Sequence, residues 1–252
     1  MNHPTVENAW QRLRRYTAAR IALGRSGESL PTKHYLDFQL AHALARDAVH
    51  TELDVATLAA EIEALGLETV TVRNAARDRG QYLLRPDLGR RLDDASRTRL
   101  SAAVRAPENR LVIVLAGGLS AAAVQRHAVP VLQLAIPRMS AYTVAPVAIA
   151  ELGRVALGDD IAQALGAEAV MVLIGERPGL SAPDSLGIYF TYRPRVGSTD
   201  AERNCISNVR PEGLSYQSAA TELISLLNAS RRAGLSGVGL KALGFAALPG
   251  DR

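Results

Sequence analysis

The sequence predicts an α/β chain: a mostly parallel sheet with flanking helices over residues 101–252, preceded by a smaller, mainly helical region over residues 1–100. Three observations carry this. Residues 111–115 read L-V-I-V-L, the unbroken apolar run of a strand whose two faces are both covered. A Gly117-Gly118 turn and a helical segment over 121–129 follow directly. Strand-like and helix-like patterns then keep alternating to the end of the chain, whereas the first half is dominated by apolar residues at helical spacing.

Taken in order, Trp10, Leu13 and Thr17 stand at helical spacing, and Pro31-Thr32 opens a second helix whose face is marked by Leu36, Leu40 and Leu44. Val55, Leu58, Ala59 and Ile62 mark a third, which ends near Gly66. Residues 68–72 alternate like a strand, and the polar, arginine-rich stretch 74–80 reads as an exposed loop. In the second half, 144–149 is a strand candidate, 159–165 a short helix closed by Gly166, and 169–174 an apolar strand. A strand over 187–192 then precedes a loop holding Cys205. The last long helix, over 214–233, is patterned by Ala220, Leu223, Ile224 and Leu227 and stopped by Gly234. Such alternation implies a Rossmann-like arrangement.

Composition narrows the classes. With 252 residues, 48% of them hydrophobic, the chain can bury a sizeable core. No apolar run approaches the roughly 18 residues needed to cross a bilayer, and the first 20 residues lack a secretory signal's apolar stretch. No membrane partner is expected, and the cytoplasm is the expected location. Cys205 has no second cysteine to pair with, and His3, His34, His42, His50 and His127 show no zinc-ligand spacing with it, so no metal site is expected. The net charge is +4, but acids interleave with the arginines, which argues against a nucleic-acid surface. Arg12, Arg14, Arg15, Arg20 and Arg25 beside Trp10 and Tyr16 leave three readings open: a solvated helix face, a protein interface or, least favoured, an RNA contact.

In a sheet of this kind, ligands bind beyond the carboxyl ends of the strands. Residues 116–120, A-G-G-L-S, could bring backbone amides to an anion or could simply be a tight turn; neither G-x-G-x-x-G nor a P-loop pattern occurs. Glu176, in G-E-R-P-G after the run 169–174, is either a hydrogen-bond acceptor for a ligand or a member of a surface ion pair, with Arg177 or another residue. Cys205, in N-C-I-S-N, is either a nucleophile needing a positioned base, with His127 as the candidate, or a small thiol lining a cleft.

The chain resembles the small (light) subunit of ethanolamine ammonia-lyase over nearly its whole length. The resemblance rests on Ser29-Leu30-Pro31-Thr32 with Leu36-Asp37-Phe38-Gln39-Leu40-Ala41-His42-Ala43, on Arg85-Pro86-Asp87-Leu88-Gly89-Arg90-Arg91-Leu92, on Gly118-Leu119-Ser120 and on Gly153-Arg154-Val155. It closes on L-I-G-E-R-P-G-L over 173–180 and N-C-I-S-N-V-R over 204–210. It implies an adenosylcobalamin-dependent carbon-nitrogen lyase that works only as a hetero-oligomer with a barrel-shaped large subunit, which the region 1–100 would contact. The cofactor would lie where the two subunits meet, and the family's three small-subunit cofactor positions map onto Val155, Glu176 and Cys205.

The implied reaction is radical deamination of ethanolamine, as in ethanolamine degradation, to acetaldehyde and ammonia. Its substrate contacts belong to the large subunit, so no catalytic residue is assigned here. No histidine sits in a D-x-H-x-x-G motif, in keeping with the family pattern of a base-on cofactor that keeps its own base on cobalt. Family members typically carry aspartate where this chain has Gly117, which puts that acid's role in doubt. Some relatives have a longer amino-terminal extension that directs them into a bacterial microcompartment. The short, charged start makes a free cytoplasmic subunit the first expectation, with encapsulation through the large subunit the second.

Overall fold

The computed structural model describes residues 5–17, 19–102 and 109–243. A short 3₁₀ helix (Gln11–Tyr16) leads into α1 (Thr32–His50) and α2 (Val55–Glu63), then β1 (Thr69–Val72), α3 (Arg79–Leu84) and α4 (Asp94–Ala102). The second half runs β2 (Arg110–Ala116), α5 (Ala121–Ala135), β3 (Thr143–Val144), β4 (Val147–Ala150), α6 (Leu157–Ala164), β5 (Ala169–Gly175), β6 (Leu186–Tyr192), β7 (Asn204–Val209), α7 (Tyr216–Ala233) and α8 (Val238–Ala242). The strands form one sheet in the order β1-β4-β2-β5-β6-β7, with β3 alongside β2.

The expected α/β architecture is present: pairings from β1 through β5 are parallel, and helices flank the sheet. The last two strands reverse, so that β5–β6 and β6–β7 are antiparallel. The reason is chain length: only residues 176–185 separate β5 from β6, and they contain no helix, whereas a parallel return needs a crossover of a dozen or more residues.

β2 is buried at all seven positions, and its side chains alternate between two apolar clusters. Leu111, Ile113 and Leu115 join Met171, Leu173, Ile188 and Phe190 beneath α2, α5 and α7. Val112 and Val114 join Val170 and Val172 beneath α4 and α6, through Leu100, Leu157 and Ile161. Each fully buried aliphatic side chain stabilises the fold by roughly 1.5–3 kcal/mol. Gly158 lets α6 sit close, since a Cβ there would meet Val172 Cγ2 at 2.4 Å.

Several local expectations are revised. The candidate strand 144–149 is split into β3 and β4 around Pro146, which has no N–H for the ladder. The stretch 74–80 is not wholly exposed: Asn74 is buried, its Nδ2 donating to Leu152 O at 2.8 Å and its Oδ1 accepting from Ala76 N, while α3 opens at Arg79 under an Asp78 cap. Cys205 lies on strand β7 and not in a loop. The polar run N-C-I-S-N-V hides that edge strand, because only Asn204, Ile206 and Val209 are buried. α4 was likewise unmarked: Leu100 is its only large buried apolar residue, and it starts on an Asp93 carboxylate that accepts from Ser96 N at 2.8 Å.

Candidate functional site

The glycine turn after β2 is filled by the protein itself. Gly117 N donates to Ala150 O at 3.1 Å and Leu119 N to Gly175 O at 3.1 Å, so both amides are taken by the ends of β4 and β5. Gly118 adopts φ +60°, and a Cβ there would lie 2.5 Å from Gly175 O. Of the two readings of this segment, the tight turn is the one the geometry supports. Gly117 is as crowded: a Cβ would fall 2.2 Å from Glu151 O.

Glu176 follows β5 directly and is half-buried. Its carboxylate does not pair with Arg177. It accepts from Ser185 Oγ at 2.7 Å and, more loosely, from Asn208 N at 3.3 and 3.4 Å. The second contact exists because β7 bulges: Leu186 faces Val209 and Ile188 faces Ile206, so Ser207 and Asn208 together oppose Gly187. Asn208 takes φ +57° there and its N–H leaves the ladder. A carboxylate has about four acceptor sites, so capacity remains for a ligand's amide or hydroxyl.

Gly187 is the floor beneath this group. A Cβ at Gly187 would meet Glu176 Oε1 at 3.0 Å, Glu176 Cγ at 3.1 Å and the Tyr189 ring at 3.1 Å. The register then runs Val172, Tyr189, Cys205 across β5, β6 and β7, so Tyr189 and Cys205 share the α6 side of the sheet with Glu176. α6 packs over β2 and β5, leaving Tyr189 half-buried and Cys205 exposed. Val155, in the connection from β4 into α6, packs onto the same apolar cluster as Tyr189. The three residues singled out from the sequence therefore lie on one side of one sheet. Tyr189 joins them, and only its cross-strand register, invisible in sequence, could have added it.

On this face, burial disfavours ionisation of two groups, Cys205 and Tyr189. Burial raises the Cys205 thiol above its ordinary value, against a lowering hydrogen bond from Tyr189, although the residue is exposed at the sheet surface. The Tyr189 phenol is raised too, by burial first and then by Cys205. A protonated thiol is a poor nucleophile. The suggested base is elsewhere: His127 packs in the α5/α7 side of the core, with Nδ1 2.8 Å from Tyr216 Oη. Among the described residues, which exclude His3, no group of three or more His, Cys, Asp or Glu could hold a metal ion.

Beside Val155 opens a cavity of about 690 Å³. Its walls are the 86–91 segment with Arg90 and Arg91, Arg154 at the entrance to α6, and residues 196–200. Arg203 anchors the far wall: its Nη1 and Nη2 donate to Asp159 Oδ1 and Oδ2 at 2.7 and 2.6 Å, and Nη2 also to Ser198 O at 2.7 Å. Both partners are buried, and burial raises Asp159 against the lowering pull of Arg203. Asp160 fixes the near wall by accepting from Leu92 N and both terminal nitrogens of Arg97. Charge patterning along the chain does not reveal this cavity, because its arginines come from three separate segments.

A family model described as ethanolamine ammonia-lyase light chain matches residues 7–241. Proteins called ethanolamine ammonia-lyase small subunit are similar throughout. That of Azotobacter vinelandii is 56% identical over 242 residues, covering 94% of this chain and 90% of the relative. That of Pseudomonas fluorescens is 56% identical over 247 residues, covering 96% and 90%. That of Ralstonia nicotianae is 55% identical over 240 residues, covering 94% and 89%.

Proposed function

The chain belongs to the ethanolamine ammonia-lyase light chain family, and on that premise we propose that it is the small subunit of a carbon-nitrogen lyase that binds adenosylcobalamin, base-on, together with a large subunit. The observation that carries this reading is the partly uncovered sheet face bearing Glu176, Tyr189 and Cys205, bordered by Val155.

The residues present fit the group. A corrinoid is a broad, largely apolar ring fringed with amides, and it needs a flat, partly apolar floor with a few fixed acceptors. Gly187 keeps the floor low, Glu176 is an acceptor already oriented by Ser185 and Asn208, and the neutral thiol and phenol add polarity without charge. When bound, the cofactor supplies the radical chemistry that deaminates ethanolamine to acetaldehyde and ammonia. This chain's residues hold and orient one side of it and exclude water from that side. No catalytic residue is assigned to the chain.

The amino-terminal region, residues 1–100, is proposed to contact the large subunit. α1 has 19 residues but buries only Ala41 and Ala48, and it leaves Leu36 55% and Leu40 62% exposed, with Tyr35, Phe38 and Leu44 beside them. A helix derives most of its stability from burying an apolar face, so this one suits a partner that covers it. No helix among the described residues is long and apolar enough to cross a membrane. The cytoplasm is the proposed location, with entry to a microcompartment through the large subunit as the second reading.

The test is reconstitution. The purified chain is mixed with its large subunit, and cobalamin absorbance and acetaldehyde release are followed. Cofactor binding and activity are expected only with both chains present; full activity of the large subunit alone would sink the reading.

A further inference from the structure

Resting on the cofactor reading above, we propose that the cavity beside Val155 takes the phosphodiester of the cofactor's nucleotide tail, with Arg90, Arg91 and Arg154 as its anion-binding groups. The first argument is which arginines are paired. Arg85 pairs with Asp87 at 2.7 Å, Arg97 with Asp160 at 2.5 Å and Arg203 with Asp159 at 2.6 Å. Arg90, Arg91 and Arg154, which line the cavity, have no carboxylate within ion-pair distance among the described residues. Of the acids lining it, Asp87 is engaged by Arg85, and Asp200 is fully exposed at the rim, 3.7 Å from Arg203. A concave surface with surplus guanidinium charge concentrates anions.

The second argument is how Arg154 is held. Its backbone N donates to Gly89 O at 2.8 Å, and its guanidinium stacks 4.5 Å from the centroid of the Tyr82 ring. Tyr82 is itself fully buried and donates its hydroxyl to Gly153 O at 2.8 Å. Gly89 makes the stack possible, since a Cβ there would lie 2.7 Å from the Tyr82 ring and 3.0 Å from Arg154 Cγ. The cation is thus fixed in advance, yet its buried Nε has no hydrogen-bond partner. A planar guanidinium fork with donors to spare matches a phosphate's oxygens better than any group of the neutral corrin fringe.

Val155 explains why the anion would belong to the same ligand. It lines the cavity and also packs with Tyr189 against the cluster under the sheet face. A ring on that face and a charged tail in the cavity would therefore be contiguous, and the phosphodiester is the negative charge such a tail carries.

The test uses the complex of the full chain with its large subunit, titrated with aquocobalamin, cobinamide phosphate and cobinamide, which lacks the phosphate. Binding is read from the visible spectrum, so turnover is not needed. Arg154→Gln should weaken aquocobalamin and cobinamide phosphate about tenfold and leave cobinamide unchanged. Arg90→Gln, at an exposed position, should act in the same direction and keeps the test decisive if Arg154→Gln disturbs the Tyr82 stack. Equal weakening of all three corrinoids, or of none, would overturn the assignment. In a parallel arm, inorganic phosphate binding is followed by phosphorus resonance broadening. If the variants lose free phosphate while the corrinoid preference stays intact, the cavity serves free phosphate and the tail assignment falls. Failure of the wild-type complex to bind any corrinoid would sink the cofactor reading itself, and this subsite with it, which is a separable result.

Discussion

Asn208 turns its backbone N–H out of the β6–β7 ladder and toward the Glu176 carboxylate, 3.3 Å away. A bulge in an edge strand thereby becomes a fixture for an acid at the end of β5, with Ser185 Oγ holding the same carboxylate from the other side at 2.7 Å. The acid needs no cationic partner to be oriented, and its charge stays available to a ligand.

Replacing Glu176 separates holding from binding. Glu176→Ala should weaken corrinoid affinity of the assembled complex by about 1–3 kcal/mol, because an amide donor of the ligand would be left unpaired. Glu176→Gln, which keeps one carbonyl acceptor, should lose less. Affinities are to be read by spectral titration, with urea midpoints measured alongside; unchanged affinity in both variants would remove the acceptor role from Glu176.

Cys205 should behave as a packing thiol. Its value is raised, mainly by burial, so iodoacetamide should modify it more slowly than free cysteine at pH 7.5 despite its exposed position on β7. Saturation of the complex with cobalamin should slow it further. Cys205→Ser should weaken cofactor binding modestly and leave turnover of the saturated enzyme in place. A covalent substrate adduct on Cys205 would overturn the assignment.

The aspartate that the resemblance leads one to expect in place of Gly117 cannot be built there without moving backbone. A Cβ at that position would lie 2.2 Å from Glu151 O, and Gly117 N is already bonded to Ala150 O at 3.1 Å. Gly117→Asp should therefore destabilise the fold by about 1–3 kcal/mol, the usual cost of forcing atoms into filled space. A lowered urea midpoint at unchanged m-value is the expected result. An unchanged midpoint would mean that the 151–154 connection yields readily.

These cases show what was legible in the sequence and what was not. β2 was legible because every one of its positions is buried, and a run buried on both faces needs no partner to be recognised. The stop of α7 at Gly234 was legible because φ +70° is a local demand. β7 was not, because an edge strand buries only part of its side chains, and its pairing with β6 is a long-range fact. The site divides the same way. Glu176 was visible as a strand-end acid, whereas its partners Ser185 and Asn208, the neighbour Tyr189 and the stacked Arg154 follow from register, bulge and packing.

His127 should set an acid limit on stability. Burial lowers its folded-state value below the ordinary 6.5, against the raising influence of Asp184, whose Oδ2 lies 3.8 Å from Nε2. In the window between 6.5 and the folded value the unfolded chain binds the proton first, so stability falls as pH drops through that window and levels off beneath it. Asp159 acts in the opposite sense at lower pH: its folded value is raised above 3.8, mainly by burial, so its contribution falls as pH rises through that interval. The two contributions run in opposite senses, and replacing the histidine isolates its share of thermal unfolding between pH 8 and 5. The wild-type Tm should decline over that span, and His127→Gln, which retains a hydrogen-bonding group near Tyr216, should flatten the decline while lowering Tm at pH 8. Parallel curves for the two proteins would show that His127 does not carry the acid sensitivity.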